Sequence, residues 1–91
     1  MISINSLIEK IPEGYAQGMF YSKKYGITKQ IFNDGKSFKI YAKELKGTDF
    51  VSLNYYKCKN KNYLKPCEMS QDKVIEFLKD VKIIEDGRSN Y

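Results

Sequence analysis

Tyr25-Gly26-Ile27-Thr28-Lys29-Gln30-Ile31-Phe32-Asn33-Asp34-Gly35-Lys36-Ser37-Phe38-Lys39-Ile40-Tyr41-Ala42-Lys43-Glu44-Leu45 reads as two β-strands and the reversal that joins them. At its centre Asn33-Asp34-Gly35-Lys36 is turn chemistry: glycine takes a positive φ without a Cβ clash, and Asn and Asp tolerate one better than other residues. The flanks, 25–32 and 37–45, are dense in β-branched and aromatic residues, which suit a pleated, half-buried surface. An antiparallel hairpin is therefore predicted. Alternation separates its faces, with Phe38, Ile40 and Ala42 pointing one way and Lys39, Tyr41 and Lys43 the other. On the first strand Ile27 and Ile31 join the apolar side and leave Thr28, Gln30 and Phe32 opposite. Lys29 falls on the apolar side and breaks the pattern, which predicts a bulge or an edge position there.

The segments around the hairpin extend the sheet. Leu45-Lys46-Gly47-Thr48-Asp49 reads as a second reversal into a strand at 49–58, where Val51, Leu53 and Tyr55 share one face and Phe50, Ser52, Asn54 and Tyr56 the other. A strand is also expected at 15–22. Lys59–Asn62 is a polar, basic loop, and Tyr63-Leu64-Lys65-Pro66 suits a brief edge strand that proline ends. Two helices complete the pattern. Ser3 is placed to cap a short one whose stripe is Ile4, Leu7, Ile8 and Ile11, stopped by Pro12 and Gly14. Ser70 caps the second, with Asp72 in its first turn, Val74, Phe77, Leu78 and Val81 as its stripe, and Met69 placed to staple onto Val74. Ile83 and Ile84 are read as further packing where that helix ends. The predicted fold is α+β: an antiparallel sheet of four to five strands, flanked on one face by a short N-terminal and a C-terminal helix. It forms a single compact domain over residues 1–84, and 85–91 is a flexible tail.

Bulk composition sets outer limits on function. Ninety-one residues leave room for one core, which must absorb most of the 42% hydrophobic content. The chain has no histidine, so Ser-His-Asp and Cys-His catalysis and histidine metal sites are excluded. Its two cysteines, Cys58 and Cys67, lack the C-x-x-C spacing of a zinc site, and no metal or cofactor is expected. The N-terminus has no cationic segment followed by an apolar one, and no apolar run reaches the ~18 residues of a membrane span. A cytoplasmic protein with reduced thiols and no membrane partner is the expectation.

Charge and aromatic residues concentrate together. The chain carries +5 overall, but residues 15–63 hold ten lysines against three acids, and 64–84 balance to zero. Eleven of the thirteen aromatic residues lie in that same basic window. If the strand registers match, the sheet face away from the helices carries Phe32, Lys39, Tyr41, Lys43, Phe50, Asn54 and Tyr56. Lysines neutralise phosphates while exposed rings stack on bases, so this face suits single-stranded DNA or RNA. The near-neutral C-terminal helix does not suit a reader of the major groove. Two other readings stand beside this one. Tyrosine and lysine are also ordinary residues of a solvated strand face, and exposed aromatics can form a protein interface, a homodimer included.

Cys67 offers a third possibility, thiol chemistry. It lies just ahead of a predicted helix N-terminus and two residues from Lys65, both of which lower a thiol pKa, whereas Glu68 opposes them. A small buried hydrophobe is the plain alternative for Cys67, and a Cys58–Cys67 disulfide requires the two segments to adjoin.

Four runs carry a family resemblance: Tyr25–Lys29, Gly35–Leu45, Asp49–Tyr56 and Leu64–Met69. Together they resemble a small, uncharacterised family of stand-alone bacterial domains, some of which carry a peptide methionine sulfoxide reductase label. That label implies a catalytic cysteine, yet Gly18-Met19-Phe20-Tyr21 stands where the reductases have Gly-Cys-Phe-Trp, so no catalytic residue carries over. In element order the chain is also similar to single-stranded DNA-binding transcriptional coactivator domains, with a curved antiparallel sheet followed by a C-terminal helix.

Overall fold

The computed structural model describes residues 3–85, Glu85 by its backbone alone. The chain runs through α1 (Ile4–Lys10), β1 (Gly14–Phe20), β2 (Lys23–Phe32), β3 (Ser37–Glu44), β4 (Phe50–Lys57), β5 (Asn62–Pro66), α2 (Gln71–Asp80) and β6 (Lys82–Glu85). The strands form one antiparallel sheet in the order β5-β4-β3-β2-β1-β6. β1 to β5 are a meander, and α2 then carries the chain back across the sheet to the opposite edge. The α+β class and the antiparallel sheet agree with the sequence reading. The strand count does not, because the described residues form six strands rather than four or five.

The hairpin at residues 33–36 follows the turn chemistry. Asn33, Asp34 and Gly35 all adopt positive φ (54°, 56° and 86°), and the Lys36 amide returns to the Phe32 carbonyl at 3.2 Å. Phe32 pairs with Ser37, and from there β2 and β3 stay in register to Tyr25 and Glu44. The β1–β2 reversal is tighter, with Tyr21 and Ser22 in left-handed backbone (φ 51° and 68°) between paired Phe20 and Lys23. Two positive φ values are what a two-residue hairpin needs for its twist, although neither residue is the usual Asn or Gly. Tyr21 ties this turn to α2: its hydroxyl donates to Glu76 and, at 3.0 Å, to Asp80. These carboxylates, Glu76 foremost, hold the Tyr21 phenol above its ordinary pKa.

One side of the sheet is covered. Phe38, Ile40 and Ala42 of β3, Val51, Leu53 and Tyr55 of β4, and Tyr25 and Ile27 of β2 pack with Leu7, Ile8 and Ile11 from the first helical segment and Val74, Phe77, Leu78 and Val81 from the second. Burying a Phe such as Phe77 contributes about 1.5–3 kcal/mol, which two short helices could not supply by themselves. Each helix is capped as its sequence implies, since Ser3 Oγ accepts from the Ser6 amide and Ser70 Oγ from the Lys73 amide, both at 3.1 Å. Met69 packs against the core next to the second cap.

Three sequence expectations are corrected here. Lys29 causes no bulge and no edge, for it sits in a central strand with unbroken register. It is 5% exposed, and its ammonium donates to the carbonyls of Ile8 at 2.9 Å and Ile11 at 2.8 Å. The Ile8 carbonyl also accepts from the Ile11 amide at 3.2 Å, whereas the Ile11 carbonyl lies past the last helical residue, so the cation completes the helix end instead of disrupting the strand. Burial lowers its pKa, opposed by Glu9 and Glu13. Ile31, expected in the core, is 36% exposed because it lies at the strand end beyond the cover of the helices. Finally, residues 82–85 do not trail from α2. They pair with β1, Gly18 opposite Ile83 and Met19 opposite Lys82, with a register shift that leaves Ile84 without a partner. Glu85, expected in the tail, is therefore the end of β6, and the rest of the predicted tail lies outside the described residues.

Candidate nucleic-acid interface

Among the described residues no helix covers the other side of the sheet. The registers set its residues in rows that cross the strands: Phe32, Ser37, Tyr56 and Tyr63; then Gln30, Lys39, Asn54 and Lys65; then Tyr15, Thr28, Tyr41 and Ser52; then Gly26, Lys43 and Phe50. Successive rows are two residues apart, about 6.8 Å along the strands. All seven residues predicted for this face lie on it, in the first, second, third and fourth rows. Phe32 (47%), Tyr41 (42%) and Tyr56 (36%) are exposed, as are Lys39 and Lys43, while Phe50 and Asn54 are half-buried.

Local packing explains the half-burial. The Phe50 ring lies 6.1 Å from that of Tyr41, and the Lys73 ammonium of α2 reaches to 6.0 Å from its centroid. Immediately before Phe50, Asp49 anchors the β3–β4 loop, accepting from Tyr25 Oη and from Lys73 Nζ, each at 2.7 Å. Those two bonds, Lys73 first, hold the Asp49 carboxyl below the usual carboxylate range. The Tyr25 phenol is raised by burial and then by Asp49. Phe50 is thus presented by a loop end pinned from the covered side of the sheet. Ser52, although on the open side, is 7% exposed because Tyr41 and Cys67 flank it on either strand.

Sequence reasoning left several members of this face unassigned. Tyr15 and Tyr63 (46% and 44% exposed), Lys24 and Lys65 complete it. Alternation within β1 and β5 was the available signal, Tyr15-Gln17-Met19 against Ala16-Gly18 and Tyr63-Lys65 against Leu64. The Tyr15 ring lies across Gly26 on the neighbouring strand, where a Cβ would meet its hydroxyl at 2.8 Å. At the far end the face runs into a groove of about 460 Å3 lined by Lys23, Lys24, Lys46, Met19 and Leu45 together with Glu44, which lies 3.9 Å from the Lys23 ammonium. The four rows themselves hold no carboxylate, and Glu44 of β3 reaches the face only at this groove.

The cysteines are also on the open side. Cys67 does not stand at the helix end, which Ser70 caps; its amide bonds the Ser52 carbonyl at 2.9 Å and its Sγ accepts from Asn54 Nδ2 at 3.4 Å. Cys58 continues the alternation of Tyr56 and borders Tyr63. Cys67 pairs at the level of Ser52, six residues from Cys58 along β4, so the thiols are about 20 Å apart, far beyond disulfide reach. Both are free. Among the described residues no cluster of His, Cys, Asp or Glu is placed to hold a metal ion, and no helix is long and apolar enough to cross a membrane.

Compared with protein-family models, with curated proteins and with solved structures, the chain matches none. Any reading of function therefore rests on the geometry of this face.

Proposed function

We propose that the open sheet face binds single-stranded nucleic acid, with Tyr41, Phe50 and Tyr56 stacking on bases and Lys39 and Lys43 contacting phosphates. The observation that carries this reading is the joint one: rows bearing exposed rings and rows bearing lysines follow one another across the registered strands, and the four rows hold no carboxylate. Ring stacking contributes about 1–3 kcal/mol per base without regard to sequence, and lysines add the counterion-release term.

Competing occupants fit less well. A six-stranded sheet is about 24 Å across, from five gaps of about 4.8 Å, and the DNA major groove is only about 12 Å wide. α2 carries Lys73 and Lys79 against Asp72, Glu76 and Asp80, a net negative count, and offers no basic recognition surface. A twofold dimer through this face would bring together two surfaces of the same positive sign, and the four rows hold no acid to answer the lysines. Single strands meet neither objection.

Equilibrium titration with a fluorescent oligothymidylate at low salt tests the proposal. Binding is expected, stronger than for a duplex of equal length, with Tyr41→Ala or Phe50→Ala weakening it about 5- to 150-fold, the range of one lost base stack. Absence of binding at low salt overturns it, as does equal affinity in both variants.

A further inference from the structure

The edge of the face, where β4 and β5 pair, carries a cleft that Tyr56 alone of the seven predicted residues lines. Tyr56 and Tyr63 are directly opposed across the two strands, and with Cys58 and Lys65 they line a shallow cleft of about 320 Å3. That volume is at the low end of the ~300–1,000 Å3 common for small-ligand sites. Two tyrosine rings form its apolar part, and cations flank it. Lys65 is in the lining, and the Lys61 ammonium sits 5.6 Å from the Tyr63 ring centroid. Lys59 and Lys61 belong to the β4–β5 loop beside it, a connection without an acid.

We infer that this cleft is a single-base subsite, in which one unpaired base of a bound strand seats against Tyr56 and Tyr63 while Lys61 and Lys65 meet the phosphates on either side of it. The inference rests on the single-strand reading of the face and gives that reading a fixed end. The row next to it, Lys39, Asn54 and Lys65, is polar and basic, and the next exposed ring toward the middle of the face is Tyr41. Tyr41 and Tyr56 lie two rows apart, about 14 Å along the strands, with the polar row between them. A strand held at the cleft would run its backbone over lysines before its next base meets a ring.

Cys58 is a built-in reporter, because it lines the cleft, whereas Cys67 lies at the level of Ser52, about 20 Å away along β4. Alkylation of each thiol by iodoacetamide, followed by mass spectrometry, is measured with and without saturating oligothymidylate and with thymidine monophosphate. The expected result is that the oligonucleotide slows Cys58 alkylation at least fivefold, the mononucleotide at the same concentration does not, and Tyr63→Ala abolishes the protection while weakening oligonucleotide binding at least fivefold. Tyr63 is exposed on an edge strand, so circular dichroism of that variant should match the parent. If the oligonucleotide binds and Tyr41→Ala weakens it, but Cys58 reacts unchanged and Tyr63→Ala binds as the parent does, the subsite is overturned and the face reading stands. Equal protection by the mononucleotide also overturns it, assigning the cleft to a free nucleotide. If no oligonucleotide binds, both readings fall together.

Discussion

Lys29 Nζ donates to the carbonyl oxygen of Ile11 at 2.8 Å, from the middle of the covered sheet face to the end of α1. A second lysine makes the corresponding contact for the other helix, Lys10 Nζ donating to the carbonyls of Leu78 at 2.8 Å and Val81 at 3.0 Å. Each helix thus has its C-terminal carbonyls closed by a cation from a different element, which compensates the dipole end and joins helix to sheet and helix to helix. Burial lowers the pKa of Lys10, and the nearby Asp80 opposes that shift.

Replacing Lys29 by Met keeps the length of the side chain and removes the donor. Leaving the buried Ile11 carbonyl without its partner costs about 1–3 kcal/mol. The urea midpoint of Lys29→Met should fall with an unchanged slope; a midpoint equal to the parent's would mean that the helix end does not depend on this cation.

The Asp49 anchor predicts a pH dependence. Its carboxyl titrates lower in the folded chain than in the unfolded one, because of Lys73 and then Tyr25, so its contribution is fully present above the unfolded value of about 3.9 and is lost as pH falls through the lower folded value. Asp49 and Lys73 are partly open to solvent, which limits the pair to about 0.5–1 kcal/mol. Thermal unfolding should show Asp49→Asn less stable than the parent at neutral pH, with the gap closing in the acid range. A gap that widens on acidification would contradict this account.

β6 docks where Gly18 leaves room. A Cβ at Gly18 would lie 2.9 Å from Val81 Cγ2 and 3.1 Å from both Ile27 Cδ1 and the Lys82 carbonyl oxygen. Overpacking at such a site costs about 1–3 kcal/mol. In Gly18→Ala, hydrogen exchange should lose protection at Ile83 before the amides of β3 change. Unaltered exchange at Ile83 would show that the sixth strand does not rely on this approach.

What was legible in the sequence was whatever a local pattern expresses. Asn33-Asp34-Gly35 announced its turn because three consecutive positive φ values need those residue types, and the period of two in β3 placed Phe38, Ile40 and Ala42 inside and Lys39, Tyr41 and Lys43 outside. The same alternation brought all seven candidate residues onto one face. Lys29 was misread because its partners, the carbonyls of Ile8 and Ile11, belong to a helix 18 or more residues away, and no strand pattern carries that information. β6 was missed for a related reason. Four residues after a helix are too few for alternation to show, and their pairing with β1 is settled by the path of α2 across the sheet. Alternation within β1 and β5 separates Tyr15 and Tyr63 from Ala16, Gly18 and Leu64, but only the registers with β2 and β4 say that their side is the open one.

The central claim is that the lysines of the open face meet phosphates, and the salt dependence of oligothymidylate binding measures that directly. Each phosphate neutralised on a single strand contributes a slope of about −0.7 in log K against log salt concentration. Engagement of Lys24, Lys39, Lys43, Lys61 and Lys65 predicts a slope of about −3.5 for the parent, falling to about −2 when Lys39 and Lys43 are both changed to Gln. A slope near zero, or one that the double replacement leaves unchanged, would contradict the account.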